Sequence, residues 1–346
     1  MRLFLLAVLP LLFAQPRLQN VRQQTRSVNG NLDATIHQLV AAQKDPAWIA
    51  YAAPKLPGER QMFCWSSQAQ GCALEPSAGT VLAPAPPGTV HLEGGTEFFV
   101  FLRVENQRIE KVRTFSVDCA VDGGRLPLYW LTGVSAPQSI SLLESLVLAT
   151  NLQGERKLAD SAISAIALHR DPAADAALDR LISPEQSESV RRQAAFWLGN
   201  ARGRHGYESL ARLIGQDTSE RVREHAIFAL TQSKEAEAIA AIARAAREDK
   251  SSHVRSQALF WLSKRASRPV AEAAIRTAIQ QDPDVSVKKQ ATFALTQIPD
   301  GGGVPLLIEV ARGSHNEPVR KQALFWLGKS KDARATRFFE DVLTNR

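Results

Sequence analysis

Apolar and polar positions along the second half of this chain alternate with the spacing of helices, and one ten-residue version of that pattern returns five times. It reads VRRQAAFWLG from Val190, VREHAIFALT from Val222, VRSQALFWLS from Val254, VKKQATFALT from Val287 and VRKQALFWLG from Val319. Successive starts are evenly spaced, with one extra position between the third and fourth copies. The first, fifth and ninth residues of each copy are apolar, which lines up one face of a helix. A fixed period of this length marks a solenoid, in which a unit cannot bury its apolar face alone and stacks on its neighbours. A second apolar-periodic segment follows each copy, for example Leu210, Leu213 and Ile214, or Leu306, Leu307 and Val310. Each unit is therefore an antiparallel helix pair with short turns. One period back from Val190 stands Leu158, and Leu158, Ala162 and Ile166 fill the places of Val190, Ala194 and Leu198. About six units are expected, the first degenerate.

Upstream the periodicity changes. Ile140, Leu143 and Val147 still read as a helix, so the solenoid domain is placed at 136–346. Residues 15–135 read as a small β-rich or α+β domain. Within it a helix capped by Asn31 or Asp33 carries Leu32, Ile36, Leu39 and Val40 on one face and ends at Pro46. Trp48–Ala53 and Met62–Trp65 read as short strands, and Ser66–Gly88, rich in Ser, Gly, Ala and Pro, as a loop. Thr96–Glu105 and Arg108–Cys119, joined by Asn106 and Gln107, form a hairpin with one face buried and the other partly so. Residues 15 to about 30 are polar without periodicity and read as a flexible lead-in.

The N-terminal MRLFLLAVLPLLFAQP puts Arg2 ahead of an apolar run from Leu3 to Ala14. This is the pattern of a signal peptide spanning 1–14, which implies export to a periplasmic or extracellular compartment. Read as a membrane anchor, the run would span only about 18 Å of the roughly 30 Å of hydrocarbon, so no transmembrane segment is expected in the mature chain. Export permits a disulfide. Cys64 and Cys72 are near enough to close a short loop; pairing of Cys119 with either is the alternative. No Cys-x-x-Cys pair suggests zinc, and neither metal nor cofactor is expected.

Charge adds little, since 42 Lys and Arg are interleaved with 35 Asp and Glu, for a net +7. Their placement says more. The recurrent V-R-x-x-A-x-x-x-L-G, with an acid five residues before its valine (Asp217, Asp249, Asp282), resembles the bacterial HEAT-like repeat, in particular the short repeats described in phycobilin lyases. The resemblance covers roughly residues 155–346. It implies an α-helical solenoid of about six HEAT-like helix pairs behind the small N-terminal domain. It also implies that Arg191, Arg223, Arg255, Lys288 and Arg320 pair with the acid of the preceding turn, as a ladder between units. Ser314 stands where the last acid would be, so Arg320 would pair elsewhere, with Glu317 as one choice.

One position departs from that family's usual polar residue. At about 100° per residue, Phe196 falls about 145° from the centre of the core stripe set by Val190, Ala194, Trp197 and Leu198. Phe228, Phe260, Phe293 and Phe325 repeat it. Beside them stand Gln193, His225, Gln257, Gln290 and Gln322, and the next position alternates between Trp (197, 261, 326) and Ala (229, 294). The tryptophans read as core, large against small. The phenylalanines read either as packed under neighbouring helices or as a ladder about 10 Å apart that meets a partner. Five exposed rings would show far more apolar surface than a soluble monomer usually carries.

No phosphate loop, His-Glu-x-x-His or Gly-x-Ser-x-Gly motif occurs. Cys119 lacks a nominated base, and the turn Arg202–Gly206 reads as a solvated basic turn. The expected function is that of an exported, non-catalytic protein-binding or scaffold protein, with no nucleic-acid partner. The alternative is an enzyme, lyase-like as in the family where these repeats were named, holding a small molecule in the solenoid.

Overall fold

The computed structural model describes residues 17–58, 65–66, 69–70, 72–75, 94–149 and 156–344. The expected signal peptide, most of the strand at Met62–Trp65 and most of the loop 66–88 lie outside the described residues. The chain divides into two compact units after Leu178.

In the first unit the strands are β1 (Arg17–Gln19), β2 (Arg22–Ser27), β3 (Ala47–Pro54), β4 (Trp65–Ser66), β5 (Ala69–Gln70), β6 (Cys72–Ala73), β7 (Glu97–Glu105), β8 (Arg108–Ser116), β9 (Ala120–Asp122) and β10 (Pro127–Thr132). A five-stranded sheet has the order β2-β10-β3-β7-β8, a three-stranded one the order β1-β9-β6, and β4 pairs with β5. Helix α1 (Leu32–Ala42) starts at the Asn31 cap, whose side chain accepts from the Ala34 N–H at 3.0 Å. The β7–β8 hairpin turns through Asn106 and Gln107, both at positive φ (52° and 59°), which suits a tight two-residue connection. Residues 17–27 are not a lead-in. They form β1 and the exposed β2, which is paired in parallel to β10 through its backbone, so its polar side chains leave no alternation to read. Strands β3 and β7 are buried on both faces, around Trp48, Phe99, Phe101, Phe115 and Trp130.

Helices α2 (Ala136–Ala149) and α3 (Arg156–Leu168) belong with this sheet, so the boundary expected at 135/136 moves to Leu178. The physical reason is a buried polar chain. Ser139 Oγ on α2 lies 2.9 Å from the Tyr51 hydroxyl on β3 and 2.9 Å from Nε2 of His169, whose Nδ1 donates to the Ala165 carbonyl at 2.8 Å. All three side chains are fully buried. The Leu56 N–H also donates to the Leu168 carbonyl, and that of Arg170 to the carbonyl of Pro54. The first repeat is thus stitched to the sheet by hydrogen bonds.

Helix α4 (Ala173–Leu181) crosses the boundary. The second unit then carries α5 (Glu188–Ala201), α6 (Gly203–Gln216), α7 (Glu220–Leu230), α8 (Ala238–Glu248), α9 (Ser252–Arg265), α10 (Arg268–Gln281), α11 (Val285–Thr296), α12 (Val304–Gly313), α13 (Glu317–Lys329) and α14 (Ala333–Leu343). With α3 and α4 these make six successive helix pairs. The odd-numbered helices pack side by side, α5 on α7 on α9 on α11 on α13. Their valine, alanine and leucine positions are all buried, from Val190, Ala194 and Leu198 to Val319, Ala323 and Leu327. Ser187, Ser219, Ser251, Asp284 and Asn316 cap these five helices with their side chains. Gly206 and Gly303 allow the close approach of a second helix to the first: a Cβ would lie 1.9 and 2.1 Å from the carbonyl oxygens of Leu198 and Leu295.

Candidate binding surface

Two rows of side chains run across the second unit. The first is the ion-pair ladder, and it links neighbouring units. Arg191 Nε lies 3.0 Å from Asp217 Oδ2; Arg223 grips Asp249 with Nε and Nη2 at 2.8 and 2.9 Å; Arg255 grips Asp282 at 2.7 and 2.9 Å. The partner is the acid of the following unit, not of the preceding turn. The preceding turn supplies a carbonyl instead: Nη1 of Arg223 donates to Asp217 O at 3.0 Å and that of Arg255 to Asp249 O at 2.9 Å. Each of these two guanidinium groups therefore turns its fork to the next unit and its remaining nitrogen to its own, which a rigid planar donor set permits. All six side chains of the three pairs are buried. Arg320 acts on Glu317 through its charge but makes no hydrogen bond to it among the described residues; Lys321 holds that carboxylate at 2.7 Å, and Arg320 donates to the Ser314 carbonyl at 3.1 Å. A second inter-unit link joins caps to first turns, Ser219 Oγ to Glu188 at 2.6 Å and Ser251 Oγ to Glu220 at 2.5 Å.

The second row is aromatic and lies on the first-helix face. Phe196, Phe228, Phe260 and Phe293 are half-buried, and Phe325, at the end of the row, is 51% exposed. The tryptophans are not core: Trp197, Trp261 and Trp326 are also half-buried and join the same row. Their position falls at the edge of the core stripe, where the neighbouring helix decides which way a long side chain turns. Phe196 stacks on Phe228 (6.2 Å between ring centres, 17° between planes), Phe228 tilts against Trp261 (5.1 Å), and Trp261 meets Phe260 edge-on (5.2 Å). The arrangement then repeats: Phe260 stacks on Phe293 (6.3 Å, 4°), Phe293 tilts on Trp326 (5.1 Å), and Trp326 meets Phe325 (4.9 Å). With Trp197 against Phe196 at 5.5 Å, eight rings form one contiguous row. Every ring-to-ring step is shorter than the expected helix spacing of about 10 Å. Paired phenylalanines lean together across one interval, and a tryptophan bridges the next. Packing and exposure coexist: each ring covers its neighbour and keeps a solvent edge.

Gln193, Gln257, Gln290 and Gln322 lie one helical turn before a phenylalanine, on its face. Among the described residues none of these four amides has a hydrogen-bond partner. Lys264 and Lys329 place their ammonium groups over Phe260 and Phe325, at 5.9 and 5.8 Å. Between α5, α7 and α9 a cleft of about 470 Å³ opens beside Arg192, Glu224, His225, Phe228, Gln257 and Trp261. Burial pushes the pKa of His225 down to about 4, with the Arg192 charge acting in the same direction, so its imidazole is neutral there at pH 7. The Nε of Arg192 and the indole N–H groups of Trp197 and Trp326 are buried without a hydrogen-bond partner.

A Ser, His, Asp cluster also forms, which sequence reasoning missed because its members come from two helices. Ser209 Oγ donates to Asp179 at 2.7 Å, and His205 Nε2 lies 3.1 Å from the same carboxylate and 3.4 Å from Ser209. One imidazole nitrogen faces both partners, and the serine is fully buried with its proton on the acid. This is not the relay that activates a nucleophile. The basic turn is not simply solvated: Arg204 is held by Glu208 and Glu237 at 2.8 and 2.5 Å. Cys119 is buried and disulfide-bonded, which removes it as a nucleophile. With three cysteines in the chain, that bond also removes the Cys64–Cys72 bridge in favour of Cys119 with one of them; the side chains of Cys64 and Cys72 lie outside the described residues. Among the described residues no three His, Cys, Asp or Glu side chains gather as a metal would require, and no helix is long and apolar enough to cross a membrane.

Residues 174–263 and 272–346 match the family model for HEAT repeats. The C-terminal region is a HEAT-repeat array. No curated protein matches the chain in sequence. Among solved structures, the Escherichia coli protein YibA is similar at 22% identity, over 60% of this chain and 77% of that one, with a TM-score of 0.37. The CpcE–CpcF complex of phycocyanin lyase from Nostoc sp. PCC7120 is similar at 21% identity over 55% and 76%, with a TM-score of 0.30. Human deoxyhypusine hydroxylase in complex with glycerol is similar at 16% identity over 60% and 96%, with a TM-score of 0.23.

Proposed function

We propose that the HEAT-repeat array is a non-catalytic scaffold that captures a protein partner on the first-helix face of α5 to α13. One observation carries this reading: eight half-covered rings form a continuous row whose flanking glutamine amides have no partner among the described residues. Rings supply apolar contact at small entropic cost, and unpaired amides supply donors and acceptors for a partner's backbone. HEAT repeats commonly serve protein interactions, which fits. We further propose that the chain works after export. The N-terminal pattern supports this, and so does the disulfide at Cys119, since such bonds persist in oxidising compartments.

The test is affinity capture from an envelope fraction with three proteins: wild type, Phe228→Ser/Phe260→Ser, and Arg247→Ser on the outer side of α8. Wild type and Arg247→Ser should recover the same partner. The double variant should lose it at a temperature where circular dichroism shows its helices intact. Undiminished capture by the folded double variant would sink the assignment of this face.

A further inference from the structure

The buried ladder has three complete steps and then a broken one. In each complete step the acceptor aspartate also takes a backbone N–H two residues on: Ser219 to Asp217 at 2.7 Å, Ser251 to Asp249 at 2.8 Å, Asp284 to Asp282 at 2.9 Å. The next cation is Lys288 and the residue in the acceptor's place is Ser314. The turn around Ser314 keeps the shape of the others. The Asn316 N–H donates to Ser314 Oγ at 3.3 Å, and Arg320 Nη1 reaches the Ser314 carbonyl as Arg223 and Arg255 reach those of Asp217 and Asp249. Only the carboxylate is missing. Lys288 is half-buried as a residue, and its Nζ has a single, exposed hydrogen bond among the described residues, to the Gln280 carbonyl at 3.3 Å, and no acidic partner.

A cavity of about 410 Å³ opens at this step. Ile279, Leu306 and Val310 give it an apolar wall, and Lys288 and Ser314 line its polar side. Its one acid, Glu309, is already held by Arg276. The equivalent groove two steps earlier, at Arg223 and Asp249, is of similar size, but there the aspartate satisfies the cation from within the protein. The comparison is internal to the molecule: the turn and groove are alike, a lysine stands for the arginine, and one carboxylate is missing.

We propose that the broken step binds an aliphatic carboxylate. The ligand's carboxylate lies beside Ser314 against Lys288 Nζ, with the Ser314 hydroxyl turning from the Asn316 carbonyl, 3.4 Å away, to donate to it, and its tail lies along Ile279, Leu306 and Val310. Complementary charge supplies orientation, and the apolar wall selects a short branched tail over acetate. This site does not depend on the aromatic row.

Titration calorimetry on the full mature chain tests it, with 4-methylpentanoate and the peptide acetyl-Gly-Leu as probes and 4-methylpentanamide as the uncharged control. Wild type should bind at least one acid and not the amide. The acid that binds more tightly tells whether the carboxylate comes from a free acid or a chain terminus. Ser314→Asp, which restores the internal acid, should weaken binding at least ten-fold and raise the melting temperature, and Lys288→Met should weaken binding to the same extent. Absence of binding by both acids, equal binding of the amide, or unchanged affinity in Ser314→Asp would each overturn the proposal.

Discussion

At Arg255 and Asp282 two opposite charges are almost wholly withdrawn from water and satisfied by each other and by backbone. Breaking one half should be far worse than removing both. Arg255→Met leaves a buried carboxylate without its cation and should cost roughly 3–5 kcal/mol in urea unfolding, whereas Arg255→Met with Asp282→Leu should recover much of that loss. His225 gives a pH signature. Its unfolded-state pKa is 6.5 and its folded value about 4, so between those limits the unfolded chain binds the extra proton. Stability from this group is intact above pH 6.5 and falls as the pH drops towards 4, by about 1–2 kcal/mol once partial exposure is allowed for. His225→Gln, the residue of the other units, should flatten that decline in urea midpoints measured near neutral pH and again well below the unfolded value. The cations of the ladder were legible from the recurrent V-R motif. Which acid each one takes was not, because a period says that units touch without saying which of two neighbouring turns the side chain reaches.

The elements most easily read were those whose faces differ chemically. The repeat's Val, Ala and Leu positions stand out by period, and the β7–β8 hairpin by two runs flanking two turn residues. Strand β2 was hidden because all six of its residues are exposed and it is held through its backbone. Helix α2 and the first repeat's α3 share the apolar spacing of the later units, yet both fall in the sheet-bearing unit. What assigns them to the sheet is a polar chain, Tyr51 to Ser139 to His169, that no periodicity announces. Ser139→Ala should leave the buried tyrosine and histidine short of a partner and cost about 1–3 kcal/mol, seen as an earlier unfolding of the sheet-bearing unit.

Across the second unit stability is shared between stacked neighbours, and a helix with less of its apolar surface covered is supported less. Helix α14 carries Val342 and Leu343 exposed, and Phe325 on α13 lacks a following ring to cover it among the described residues. Hydrogen exchange should therefore find α13 and α14 opening at lower free energy than α7 and α9. Uniform protection from α7 to α14 would contradict this picture. The aromatic row adds a constraint of another kind. Its two sorts of step, flat Phe on Phe and tilted Phe on Trp, alternate because Trp and Ala alternate, so the backbone repeats every unit but the surface repeats every second one. Excising the α7–α8 unit would bring two Trp-bearing helices together, while excising α7 to α10 would rejoin a Trp-bearing helix to an Ala-bearing one. Keeping the alternation of flat and tilted steps unbroken therefore takes insertions or deletions of two units, four helices at a time.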